Sequence, residues 1–312
     1  MPGSLMPSSP IPPLATLTQP ELARWVELAR SQADPGSVLD RISWLASADP
    51  NWFAVQVQSP THQVCSGETD RPVALMSLVK PFLLLAVLHH YGSTAAWVDC
   101  QPSQLPFNSL AQLQADGGRP RNAMINSGAI TLADKLPGAT ANERCRIFCD
   151  WLNQQAGAAL QLDQALREAV RQSDRSANLA LLAELNRVGL VEQPELALDT
   201  YEQICCLTGK VQDLAHLGLL LALGSGQEVI LAHRQAVNAM LLTCGLYEAS
   251  SSAAARIGLP VKSAVSGAIL AIVPRQGAIA CYGPALDAVG NSVIGLKLIE
   301  LLSAGLSLNL FG

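Results

Sequence analysis

"ALMSLVKPF", residues 74–82, is the stretch on which the reading of this chain turns. The chain holds only five lysines, and Lys80 stands three residues after Ser77, directly before the apolar run "PFLLLAVL". Proline is tolerated only in the first turn of a helix, so Pro81 places a helix start close to Ser77. The apolar run predicts a buried helix of about 14 residues, from Ser77 to His90. Positions i and i+3 share a helix face, so Ser77 and Lys80 project together. A serine hydroxyl is a poor nucleophile until a base takes its proton. Lysine can be that base only if its pKa falls, and burial among Leu75, Leu78, Val79 and Phe82 would lower it. The partial positive charge at a helix N-terminus would favour the alkoxide. The tetrapeptide alone fits equally well a surface lysine on a capped helix.

Composition narrows the class. Its 312 residues suffice for a large core, as one domain or two interleaved ones. Charged residues make up 14%, against about a quarter in an average soluble domain. Hydrophobic residues make up 49%, and the mean hydropathy is +0.26. So much uncharged surface points to burial between subunits, and a homodimer or homotetramer is expected. The runs "FLLLAVL" and "LGLLLALG" have seven and eight residues, too short for a membrane span of about 20. Net charge is −5 and no stretch interleaves basic residues with aromatics, which argues against nucleic acid. The eight cysteines form no C-x-x-C pair, and the five histidines show no metal-ligand spacing. No metal or cofactor is therefore expected. Cys145 and Cys149, four apart, read as small buried residues of one helix face. The opening "MPGSLMPSSPIPPL" lacks the basic and apolar regions of a secretory signal. It reads as a disordered Pro/Ser-rich tail over residues 1–17, and the free thiols suggest the cytoplasm.

Along the chain, "TQPELARWVELARSQA" predicts a helix capped at Thr18. "NWFAVQVQS" alternates Phe53, Val55 and Val57 with polar neighbours, as a half-buried strand does, and "HQVCSGE" is its expected hairpin partner. From about residue 100 to 225 the pattern is helical, including "RCRIFCDWLNQQAG", "SDRSANLALLAELNRVG" and "VQDLAHLGLLLALGSG". "SGAILAIVPRQGAIACYGP" predicts two strands around "PRQG", and "NSVIGLKLIELLS" a closing helix. The expected fold class is α/β with an all-α insertion. Residues 18–99 and 226–312 would form the α/β domain, and 100–225 the helical one.

Two further motifs follow Ser77-x-x-Lys80 in order. "SAN" places Ser176 and Asn178 on a helix, and "KSAVSGAIL" places Lys262-Ser263 before a strand. S-x-x-K, S-x-N and K-[ST]-G in that order resemble the serine β-lactamase and penicillin-binding fold, although the last motif here reads K-S-A. Longer stretches carry a closer likeness: "RNAMINSGAI" (121–130), "LDTYEQICC" (198–206), "LTCGLYEASSSAAARIGLPVKSAVSGAILAIVP" (242–274) and "PALDAVGNSVIGLKLIELLS" (284–303). With the Ser77 segment they resemble the serine-dependent glutaminases from about residue 37 to 304, and "TCGLY…GLPVKS" is the most specific block.

That resemblance implies hydrolysis of L-glutamine to L-glutamate and ammonia on a β-lactamase-like α/β fold, without cofactor. It implies Ser77 as nucleophile, Lys80 as its base and Tyr247 in the proton relay. It implies the backbone N–H groups of Ser77 and Val265 as an oxyanion hole, and Asn126, Asn178 and Tyr201 as the grip on the amino-acid head. Neutral amides and a phenol can bond a carboxylate and an ammonium without adding a buried charge. Read singly, Asn126 before Ser127-Gly128 suggests a turn, Asn178 a polar helix position, the tyrosines packing and Lys262 a solvated strand edge.

The sequence departs from the family at several places. Arg41 stands where the family has a site tyrosine. Arg171 stands seven residues before Asn178, where the family has a glutamate that pairs with the substrate ammonium. At about 4 Å and an effective dielectric near 20, such a contact is worth about 4 kcal/mol. Glu168, one turn away, would compensate if the helix were shifted. Ala264 and Ala268 replace glycines around the oxyanion strand, Met76 a glutamine and Ala123 a proline. Three readings stay open: a glutaminase; a related serine acyl hydrolase for an amide or ester without a free ammonium; and a catalytically inactive binding protein.

Overall fold

The computed structural model describes residues 13–224 and 229–312. Among the described residues eight strands form two sheets: β1 (Ala54–Gln58), β2 (Gln63–Gly67), β3 (Val73–Ala74), β4 (Gln161–Leu162), β5 (Leu207–Gly209), β6 (Val261–Ser263), β7 (Ala268–Val273) and β8 (Gly277–Tyr282). The larger sheet runs β2-β1-β8-β7-β6, every neighbouring pair antiparallel. "PRQG" makes the tight β7–β8 turn, pairing Val273 with Gly277 and holding Arg275 at φ +65°.

Both faces of this sheet are covered. Phe53, Val55 and Val57 point to one side, with Ile269, Ala271, Ile279 and Cys281, beneath the helices Gln19–Gln32 and Val293–Gly305. Ala54, Leu270, Ile272, Ala278 and Ala280 face the helix Val211–Ala222 on the other side. β1 is therefore buried on both faces rather than half-buried. Its polar Gln56 stays in the core by donating its amide to Gln58 and Gln63. A Cβ on Gly218 would fall 2.3 Å from that of Ala278, so glycine there sets how closely this helix lies on the sheet.

The Val211–Ala222 helix falls in the stretch read as the helical insertion, yet it packs on the sheet. Its residues are apolar around most of the helix and need cover on both sides. The boundary at 225/226 lies outside the described residues. Most other helices of that stretch, including Asn126–Ala133, Ala141–Ala156, Ser176–Arg187 and Pro194–Cys205, form a layer of their own. The small sheet β3-β5-β4 joins that layer to the segment just before Ser77.

At the N-terminus, Thr18 gives its N–H and hydroxyl to the Glu21 carboxylate, fixing the start of the Gln19 helix. The expected tail ends earlier than residue 17: Pro13–Thr16 form a helical turn, and Leu14 and Leu17 are buried under the first sheet face. Two leucines provide enough apolar area to dock these residues; residues 1–12 lie outside the described ones. Among the described residues no helix is long and apolar enough to cross a membrane.

Candidate active site

The Leu75 N–H bonds the Leu207 carbonyl, extending the small sheet by one residue. Met76 then turns into the left-handed region at φ +43°, unusual for a long side chain. A 3-10 turn, Met76–Val79, runs directly into the helix Lys80–Tyr91. The expected buried helix is present, with Ser77 in its tightened first turn. The strained residue before Ser77 reverses the chain and leaves Ser77 on the wall of a cavity between the sheet body and the helical layer.

Opposite lies the β6–β7 turn, closed by Gly267 N–H to Ala264 C=O at 2.9 Å with Gly267 at φ +92°. Val265 lines the same cavity. Among the described residues neither the Ser77 nor the Val265 N–H donates to a protein acceptor. The Ser266 hydroxyl donates to the Ala74 carbonyl at 2.7 Å, tying this turn to the strand that leads into Ser77. Ala264 and Ala268 are fully buried and themselves bonded, Ala264 N–H to Ala268 C=O at 2.8 Å, so the extra methyls are accommodated.

Lys80 is wholly buried. Its amine donates to the Met124 carbonyl (3.1 Å) and Asn126 Oδ1 (2.7 Å), both uncharged. Burial pulls its pKa down to about 8. Asn126 Oδ1 also accepts from the Tyr201 hydroxyl at 3.1 Å, and Asn126 Nδ2 donates to Asn178 Oδ1 at 2.9 Å. "NSG" is no turn here: Asn126 opens a helix, and a Cβ on Gly128 would lie 2.0 Å from the Asn122 carbonyl oxygen. Asn178 comes from the helix Ser176–Arg187 and Tyr201 from Pro194–Cys205. Burial holds the Tyr201 phenol well above its usual range, so it is neutral.

Tyr247 begins the 3-10 turn Tyr247–Ala249, at φ +56°. Its hydroxyl donates to the Ser263 carbonyl at 3.3 Å. Burial pushes its pKa up to about 12. Its ring lies 4.9 Å from that of Phe107, and the Lys262 amine sits 4.4 Å from its ring centre. Lys262 is buried rather than solvated: it donates to the Gly245 (3.0 Å) and Ser263 (2.6 Å) carbonyls. Burial, then the charge of Lys80, hold its pKa well below the lysine range.

Ser77, Asn126, Asn178, Tyr201 and Val265 thus line one cavity. Lys80 sits buried behind Asn126, and Tyr247 is not among the residues lining this cavity: it lines a neighbouring pocket that shares Phe107 with it, its hydroxyl on the Ser263 carbonyl. Such a set can do acyl transfer: a hydroxyl, an amine able to be neutral, a phenol and two free N–H donors. Arg41 lines the cavity, whereas Arg171 does not; it pairs instead with Asp199. Glu168 is exposed and bonded by Gln172, so the helix is not shifted to bring it in. Sequence reasoning passed over Phe107, Arg175 and Glu202, which also line the cavity. The one signal for Glu202 was its place directly after Tyr201 in "LDTYEQICC". Phe107, in a loop, carried no such signal.

The Glutaminase family model matches residues 36–311. A glutaminase of Synechocystis sp. is 44% identical over 299 residues, covering 94% of this chain and 91% of that protein. A glutaminase of Geobacillus kaustophilus is 33% identical over 304 residues, covering 94% and 98%. A solved structure of a probable glutaminase from Bacillus subtilis, complexed with 6-diazo-5-oxo-L-norleucine, superposes with a TM-score of 0.84 at 27% identity, over 94% of this chain and 97% of that one.

Proposed function

The chain belongs to the glutaminase family, and from that premise we infer that it hydrolyses L-glutamine to L-glutamate and ammonia through an ester on Ser77. The observation that carries this reading is the wholly buried Lys80 amine, one turn from Ser77 and, among the described residues, bonded only to neutral acceptors. An amine so placed is partly unprotonated near neutral pH and takes the Ser77 proton as Oγ attacks the side-chain amide carbon. The oxyanion forms between the N–H groups of Ser77 and Val265; such a donor is worth about 3 kcal/mol. In this reading Tyr247 passes the proton that Lys80 took from Ser77 on to the departing nitrogen, ammonia leaves, and water resolves the ester. Asn126, Asn178 and Tyr201 hold the amino-acid head.

The test measures ammonia release from millimolar L-glutamine. Ser77→Ala is expected to lose at least about a thousandfold in rate; equal rates for the two proteins would end the assignment. We place the enzyme in the cytoplasm as a homodimer or homotetramer, supported by its free thiols and sparse surface charge. Light scattering of the purified protein would show a monomer if the second part is wrong.

A further inference from the structure

L-Glutamine carries an α-ammonium that needs acceptors, and the three neutral head-group residues offer few. Asn126 Oδ1 already accepts from Lys80 and Tyr201, and Asn178 Oδ1 accepts from Asn126. What Asn126 and Asn178 have to spare is mainly amide N–H, which suits a carboxylate. The acceptor must therefore come from elsewhere on the wall. Among the described residues, the carboxylates lining the cavity are Asp174 and Glu202. Asp174 is exposed at the rim and occupied by the Ser176 N–H. Glu202 is 3% exposed; its Oε1 accepts from Arg175 Nε at 2.7 Å, and its Oε2 is buried with no hydrogen-bond partner among the described residues. A buried carboxylate oxygen left open is costly unless something fills it.

We propose that Glu202 is the specificity-determining residue for the α-ammonium group, its open Oε2 accepting from the substrate nitrogen while Arg175 holds Oε1. This deepens the glutaminase reading and rests on it. The carboxylate stands on the Tyr201 helix, so this chain accepts the amino group from a different wall than the Arg171 position would have provided. Burial raises the Glu202 pKa and Arg175 opposes that, as expected for an anion awaiting a second cation.

The experiment compares binding of L-glutamate and of glutarate, the same diacid without the amine, by calorimetry. It uses the Ser77→Ala protein with and without Glu202→Gln, which keeps the shape and an acceptor for Arg175. Affinity for L-glutamate is expected to fall about 10–100-fold, the range for a hydrogen bond to a charged group, and affinity for glutarate to change less than about threefold. Glu202→Asp, with the charge retracted by one methylene, is expected to fall between and serves if Glu202→Gln does not fold. Equal losses for both ligands, or no loss for either, would overturn the assignment. Because these proteins lack the nucleophile, the outcome is separate from turnover. A wild-type protein that releases no ammonia, with the L-glutamate loss still observed, would sink the Ser77 chemistry and leave Glu202 in place.

Discussion

At residue scale the proposed chemistry rests on the protonation of one amine. With a pKa of about 8, roughly a tenth of Lys80 is neutral at pH 7 and nine-tenths at pH 9. If neutral Lys80 is the base, kcat/KM for L-glutamine rises about tenfold over that interval, with its midpoint near 8. A stopped assay across pH 6–10 reads this, and a flat profile would exclude the amine as base. The same shift bears on stability. The folded pKa of Lys80 lies below the unfolded value, so between about 8 and 10.4 the unfolded chain binds more protons and stability rises with pH. Relative to Lys80→Met, the wild type is expected to gain about 3 kcal/mol of unfolding free energy from pH 7 to 10.5. Urea titrations at the two pH values check both sign and size. Ser77 and Lys80 were legible because i, i+3 spacing fixes a shared face. The role of Asn126 as a hub was not, since its partners Lys80, Tyr201 and Asn178 come from three other helices far apart in the chain. Glu202 was missed for a related reason: nothing in a sequence tells which carboxylate oxygen will lack a partner.

Elements were read well where local pattern decides. The β7–β8 hairpin and the Val293–Gly305 helix follow from turn residues and periodicity. β1 was misjudged in burial, because alternation records one covered face and says nothing of a helix arriving on the other. Two substitutions probe this level. Arg275, exposed at φ +65°, holds a conformation that costs an L-residue about 1 kcal/mol, so Arg275→Gly is expected to raise stability by roughly 0.5–1 kcal/mol. Gly218→Val would drive a branched side chain into Ala278, and a loss of about 3 kcal/mol is expected from overpacking. Shifts in the urea midpoint measure both.

At the scale of the whole molecule the cavity wall is shared. Ser77 and Val265 belong to the sheet body, and Asn126, Asn178 and Tyr201 to the helical layer. A ligand there links the two parts. For Ser77→Ala with L-glutamine at a hundred times its Kd, about 2.7 kcal/mol of stabilisation is expected. It should appear as one displaced melting transition, and displacement of only one of two transitions would mean that the parts unfold independently. The α/β class was legible from strands at both ends of the chain around helices. The placement of the Val211–Ala222 helix on the sheet was not, because a helix apolar around most of its circumference shows that it is buried but not against what.

The sulfur atoms offer a final consequence. Cys65 and Cys100 are exposed, and the other six thiols are buried with pKa values raised by desolvation. A chromogenic disulfide reagent should titrate two equivalents at once and the rest only as the chain opens. The slow phase then clocks how often the interior breathes. Cys205 borders the Ser77 cavity, so an occupant should delay its turn in that count.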